Sequence, residues 1–183
     1  MAEHVLLVGM MGAGKSTVAR LVASRLGRPH IDTDAEVERE AGSTVSELFS
    51  TRGEAGFRAE ESRVVTGVLA GAVPAVISVG GGAILDPAQR RALRAAGPVV
   101  WLRARPDTLA RRVGRGRDRP LLVTAGDGTS PGPAVALARI DGERRGLYEE
   151  VASVVIDVDD LTPSAVADRV VRAVGLASRE HSR

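Results

Sequence analysis

Cysteine is absent from the 183 residues, which excludes disulfides and thiolate metal sites. The three histidines, His4, His30 and His181, stand far apart without ligand spacing, which argues against zinc-type chemistry. Aromatic residues make up only 2% of the chain. Stacking surfaces for single-stranded nucleic acid are therefore scarce. Lysine occurs once, at Lys15, so 24 of the 25 basic residues are arginine. An isoelectric point near 9.9 reflects the high pKa of arginine, since the formal net charge is only +2. With asparagine absent and Arg, Ala, Val and Gly abundant, the composition has the mark of high-GC coding. Against that background a lone lysine carries information about its own position.

Long hydrophobic runs are missing too. The 22 residues from Val64 to Leu85 carry no charge, but they hold five glycines and a central Pro74. Proline would break a spanning helix there, so the stretch reads as a helix end, a turn and a buried strand. Val5–Val8 is too short for a signal sequence and follows Glu3. These features point to a cytoplasmic protein with no membrane partner.

What is present is 44% hydrophobic sequence, enough for one core in a chain of this length. Aliphatic runs at 5–8, around Ile31, and at 75–79, 99–102 and 154–158 alternate with helical patterns. The helices are expected at 15–26, 34–41, 44–50, 54–71, 87–96, 106–113, 133–150 and 163–174. Continuous apolar strands between helices predict a parallel sheet covered on both faces, a single α/β domain over 1–183. Asp86-Pro87 and Thr162-Pro163 read as helix starts. Gly27, Gly97 and Gly175 read as helix stops, with a disordered tail over about 177–183. Residues 114–132 are rich in glycine, proline and arginine. A stretch this long between elements predicts a mobile lid, about 113–132.

Gly9-Met10-Met11-Gly12-Ala13-Gly14-Lys15-Ser16 matches G-x-x-x-x-G-K-[ST] between a strand and a helix. Glycines let backbone N–H groups turn inward around phosphate oxygens, and the helix start adds positive potential. Lys15 reaches the β- and γ-phosphates, while Ser16 offers a hydroxyl to Mg²⁺. Gly12, Ala13, Gly14 and Thr17 complete the cradle. The absence of asparagine excludes the Asn-Lys-x-Asp motif of switch GTPases. The length suits a small kinase rather than a motor.

Asp32-Thr33-Asp34 ends the second strand, on the edge where α/β sheets bind ligands. Two readings stand for this pair. Asp32 can hold Mg²⁺ through water while Asp34 meets an acceptor hydroxyl, or Asp34 simply caps the helix at 35–41. Gly80-Gly81-Gly82 follows the third strand and allows close backbone approach to a polar ligand.

Taken in order, Gly-Lys-Ser-Thr, Asp-Thr-Asp, Phe-Arg-x-x-Glu, Gly-Gly-Gly-Ala, Arg-Pro-Leu-Leu and Arg-x-x-Leu-Tyr resemble the shikimate kinase family from about residue 4 to residue 174. The resemblance implies a P-loop NTPase-type five-stranded parallel sheet in the order 2-3-1-4-5. It implies transfer of the ATP γ-phosphoryl group to the 3-hydroxyl of shikimate, on the route to chorismate and the aromatic amino acids. It assigns Lys15 and Arg119 to ATP phosphates, and Ser16 and Asp32 to one Mg²⁺ per subunit. Asp34 would orient or deprotonate the acceptor hydroxyl. Arg58 and Arg144 would clamp the carboxylate, with Gly81 and Gly82 donating N–H groups and Glu61 and Phe57 lining the pocket. Arg112 would stack on adenine. A monomer is expected.

The chain also departs from the family. Gly146 stands where proline usually precedes Leu-Tyr, which predicts a looser turn after Arg144. The stretch leading to Arg144 is longer than usual around Ala125–Pro133. Leu161 stands where some relatives carry an arginine for adenine. A gluconate kinase is the nearest alternative. A nucleoside monophosphate kinase would need an acceptor phosphate that Asp34 repels. Seven arginines between Arg103 and Arg119 raise nucleic acid as a partner, but small net charge and scarce aromatics disfavour it.

Overall fold

The five apolar runs become five parallel strands in the computed structural model, which describes residues 3–113 and 133–180. The order along the chain is β1 (Val5–Val8), α1 (Lys15–Leu26), β2 (His30–Asp32), α2 (Thr33–Ala41), α3 (Val45–Leu69) and β3 (Val76–Ser78). A 3₁₀ turn over Ala83–Leu85 is followed by α4 (Pro87–Ala96), β4 (Val99–Arg103), α5 (Pro106–Val113), α6 (Pro133–Val151), β5 (Val154–Asp157) and α7 (Pro163–Glu180). The sheet runs β2-β3-β1-β4-β5, the order that the family resemblance implies. β1 lies at its centre, paired with β3 and β4.

Helices on both faces bury β1, β3 and most of β4 completely. Leu6, Leu7, Ile77 and Leu102 are wholly buried, each contributing about 1.5–3 kcal/mol relative to exposure. A smaller cluster of Val37, Leu48, Phe57 and Val64 joins α2 to α3 beside the main core. No helix among the described residues is long and apolar enough to cross a membrane. Val64–Leu85 is indeed the end of α3, a turn and β3.

Local signals explain the boundaries. Thr44 and Glu47 form a reciprocal capping box at the start of α3, with Thr44 N donating to Glu47 Oε2 at 2.7 Å. Asp86 accepts from Ala88 N ahead of Pro87, and Thr162 accepts from Ala165 N ahead of α7. The helices expected at 44–50 and 54–71 are continuous except at Gly53, where φ is 67° and α3 kinks. α2 begins one residue earlier than expected, at Thr33.

Two expectations require correction. Gly175 does not stop the last helix; α7 continues through it to Glu180, so the expected tail is helical over its first residues. A glycine in a helix interior costs only about 1 kcal/mol, which the packing of α7 on the core easily exceeds. Likewise Gly146 does not loosen a turn, because Pro133–Val151 is one helix around it. The expected lid lies outside the described residues, except Val113 at the end of α5. Residues 181–183 lie outside them too.

At Gly97 φ is 148°, and a Cβ would collide with the carbonyl of His4. Gly97→Ala is expected to destabilise the fold by about 2–4 kcal/mol, through clash and backbone strain together. At Gly175 an added Cβ meets nothing within 4 Å. Gly175→Ala is expected to stabilise by about 0.5–1 kcal/mol. Urea unfolding of both variants checks the pair; destabilisation by Gly175→Ala would contradict a helix running through that position.

Candidate active site

The first glycine turn connects the central strand to α1. Gly12 has φ 82° and Gly14 has φ 89°, both in the left-handed region that side chains disfavour. Gly12 also sits so close to Val113 and Leu109 of α5 that no Cβ fits without displacement. α1 starts at Lys15 with no side-chain cap, so its positive dipole end faces the cradle. Lys15 Nζ folds back over the turn, donating to the carbonyls of Gly9 at 2.9 Å and Met10 at 3.2 Å. Met11, Gly12, Gly14, Lys15, Ser16 and Thr17 line a cleft of about 340 Å³, closed on other sides by Asp32, Asp34, Ser78 and Arg112. Ala13 is buried beneath it.

The two aspartates separate into different roles. Asp32 caps α2, its Oδ1 accepting from Asp34 N at 3.1 Å and Ala35 N at 3.5 Å. Its Oδ2 accepts from Ser16 Oγ at 2.5 Å and Ser78 Oγ at 2.8 Å. Burial pushes the Asp32 carboxyl up, but the Ser16 and Ser78 hydroxyls and the two amides outweigh it, leaving the pKa below the ordinary value. Asp34 is therefore not the helix cap. Its carboxylate lies against Gly80, and Glu61 stands beside it on the same side, so that a single Cβ on Gly80 would meet both acids. Thr33 between them accepts from Gly80 N at 2.8 Å, tying the β2 end to the β3 end.

Gly80–Gly82 passes between carboxylates and guanidinium groups. The Arg58 guanidinium fills the space beside Gly82, so close that a Cβ there would displace it. Arg58 Nη1 donates to Glu61 Oε2 at 2.6 Å and Nη2 reaches Glu54 at 3.5 Å. Its guanidinium rests on Phe57 and Phe49, 5.1 and 5.9 Å from the ring centroids. Glu61 is 3% exposed, and burial raises its pKa although Arg58 opposes the shift. Arg144 Nη1 donates to Gly81 O at 2.8 Å, joined one turn later by Tyr148 OH at 3.3 Å. Tyr148 is fully buried, stacked on Trp101 with centroids 5.5 Å apart, and burial pushes its pKa up to about 12. Beyond Arg58 and Gly82 opens a second cleft of about 560 Å³, lined also by Glu54, Ser62, Leu85 and Gln89.

Most expected residues thus converge on one edge of the sheet. Phe57 belongs to the small core under Arg58 and lines neither of the two clefts described. Arg112 borders the phosphate cleft but donates to the carbonyls of Val158 at 2.8 Å and Asp159 at 3.4 Å. Arg119 lies outside the described residues. Within the arginine run, Arg103 and Arg105 face Asp157 and Asp159 in ion pairs. Sequence reasoning missed Ser78, Thr33 and Tyr148. Polar residues flanking Gly-Gly-Gly and Asp-x-Asp were the available signal for the first two; Tyr148 had one only in its position four residues after Arg144.

A model of the family described as shikimate kinase matches residues 11–175. The chain is 46% identical over 158 residues to a shikimate kinase of Symbiobacterium thermophilum, covering 85% of this chain and 87% of that protein. It is 43% identical over 170 residues to one of Rhodopseudomonas palustris, covering 93% and 80%. Among solved structures, a shikimate kinase from Acinetobacter baumannii in complex with shikimate superposes with a TM-score of 0.88 at 33% identity, covering 97% of this chain and 95% of that one.

The depressed pKa of Asp32 has a consequence for stability. An acid whose pKa is lower folded than unfolded contributes stability above the unfolded value, near 3.8, and loses it as pH falls through the folded value. Ser78→Ala removes one of the donors that depress it. The variant is expected to be less stable than the parent at pH 7, with the gap narrowing toward pH 3. Urea midpoints at the two pH values check this; a gap of constant size would contradict it.

Proposed function

The chain belongs to the shikimate kinase family, and from that premise we propose how its own residues carry the reaction. The reaction moves the γ-phosphoryl group of ATP to the 3-hydroxyl of shikimate, giving shikimate 3-phosphate and ADP. ATP is the co-substrate. What most supports the residue assignments is the meeting of Asp34, Glu61, Arg58 and Arg144 around Gly80–Gly82, at the mouth of the phosphate cradle.

Phosphoryl transfer needs positioning and charge cancellation more than covalent help. The α1 start and the glycine-turn amides receive the β- and γ-phosphates, and Lys15 exchanges its carbonyl partners for phosphate oxygens. Arg119 is assigned to the same phosphates on family resemblance. Arg112 is assigned to the adenine from its position just ahead of residues 114–132 and at the border of the phosphate cleft, its guanidinium anchored at Val158. Ser16 and Asp32 fit a hard cation. Ser16 spends its proton on Asp32, leaving hydroxyl lone pairs outward, and Asp32 stays ionised. Among the described residues no group of three or more acidic or imidazole side chains is placed to hold a metal, so a cation held by Ser16 and Asp32 would take its remaining ligands from phosphate oxygens and water. One Mg²⁺ bound there would neutralise charge on the β- and γ-phosphates.

On the acceptor side, Arg58 and Arg144 supply two planar forks for the shikimate carboxylate. Arg144 and Tyr148 hold the Gly81 carbonyl, turning the following Gly82 N–H away from it toward the polyol. Asp34 takes the 3-hydroxyl, orienting it and accepting its proton as the bond to phosphorus forms. Glu61 keeps Arg58 over Gly82. The proposal takes the enzyme to be a monomer working in the cytoplasm.

A coupled ADP-release assay with shikimate, gluconate and nucleoside monophosphates tests substrate choice, with turnover expected for shikimate alone. Asp34→Ala is expected to lower kcat by about 10²–10⁴-fold with ATP affinity nearly unchanged. Near-normal turnover would remove Asp34 from the chemistry. Arg58→Ala and Arg144→Ala are each expected to raise the KM for shikimate by about 10- to 100-fold, as charged hydrogen bonds are lost. Unchanged KM in both would remove the carboxylate clamp.

A further inference from the structure

We propose that His30 is a positioning residue for the Ser16–Asp32 pair, acting through the hydroxyl of Ser78. The inference rests on the metal assignment made above. Its basis is strand register. His30 and Asp32 are the first and last residues of β2, two apart, so they project from the same face. β2 pairs with β3 so that Asp32 lies opposite Ser78 and His30 opposite Val76. Ser78 is thus the direct neighbour of Asp32 and the diagonal neighbour of His30.

Proton counting then fixes the direction of each bond. Ser78 has one hydroxyl proton, and it goes to Asp32 Oδ2 at 2.8 Å. The contact between Ser78 Oγ and His30 Nε2, at 3.1 Å, must therefore run from an Nε2–H to the hydroxyl oxygen. An imidazole with its proton on Nε2 makes Ser78 a committed donor to Asp32. The other tautomer would present a second acceptor competing for the same proton. A donor behind a donor also polarises the next bond, strengthening Ser78 on Asp32.

The result is a carboxylate held at four points. Oδ1 takes the Asp34 and Ala35 amides, and Oδ2 takes the hydroxyls of Ser16 and Ser78. Three of those donors belong to the cradle or to the helix that Asp32 caps. Ser78 alone comes from the neighbouring strand, and His30 is the group behind it. Ser78 is the partner one shell outside a metal, where fixing ligand orientation is worth about 10- to 100-fold in metal affinity or activity, and His30, one step further out, acts through it at the low end of that range.

The test reads metal linkage rather than turnover. ADP affinity is measured by calorimetry in excess Mg²⁺ and in EDTA, and the ratio is compared across variants. His30→Leu, which has no donor, is expected to reduce the ratio about tenfold. Its affinity for ADP in EDTA and for shikimate should stay within about twofold of the parent. His30→Gln, whose amide can donate to Ser78, should restore most of the ratio. If His30→Leu does not fold, His30→Met serves as the apolar variant. An unchanged ratio in the apolar variant, an equal loss in His30→Gln, or a parallel fall in EDTA would overturn the proposal. Asp32→Ala separates the two levels. A ratio preserved there removes the metal assignment itself, whereas a ratio lost there and kept in the apolar His30 variant removes only the role of His30.

Discussion

Parallel pairing of the strands is the constraint on which everything else depends. A parallel sheet sends all strand carboxyl ends to one edge, so the loops after β1, β2 and β3 must meet there. With β1 central and β3 between it and β2, the glycine turn, the Asp32–Asp34 corner and the Gly80–Gly82 run become neighbours. Register refines the meeting to single residues, setting Asp32 beside Ser78. Sequence distances of more than 60 residues collapse to hydrogen-bond lengths, as between Arg144 and Gly81. No part of the site has to be held by a flexible segment among the residues described.

The acceptor side shows how a small buried volume tolerates several charges. Arg58 lies between Glu61, which is nearly inaccessible, and Glu54, which is exposed, with two phenylalanine rings beneath its plane. Burial alone would penalise the Glu61 carboxylate, and the guanidinium offsets part of that cost. Arg144 is also buried; it donates to the Gly81 carbonyl, and Glu61 acts on it through the field rather than as a direct ion-pair partner. The two arginines thus reach the same glycine run with different electrostatic surroundings. One is partly neutralised, and the other retains more of its field for an anion.

Much of this was legible in the chain itself. The strand–glycine–lysine–helix pattern placed Lys15 and Ser16 correctly because the motif states its own geometry. Asp86-Pro87 and Thr162-Pro163 marked helix starts because capping is local chemistry. Gly175 and Gly146 misled because glycine is permissive: it allows a stop or a looser turn without requiring one, and packing decided for helix. Asp34 was ambiguous because a cap and an acceptor carboxylate share one residue type; only the positions of the Asp34 and Ala35 amides showed that Asp32 does the capping. Ser78 and Tyr148 carried only faint signals, because their partners are distant in sequence and set by strand register and helix packing.

The stacking of Tyr148 on Trp101 has an optical consequence. Trp101 is the only tryptophan in the chain and is 1% exposed, so the protein's indole emission comes from one dry location. The ring stacked on it carries the hydroxyl that grips Gly81. A displacement of that glycine would be passed through one phenol to one fluorophore. The fold therefore contains a built-in spectroscopic reporter, seated behind the wall that faces the acceptor and needing no attached dye.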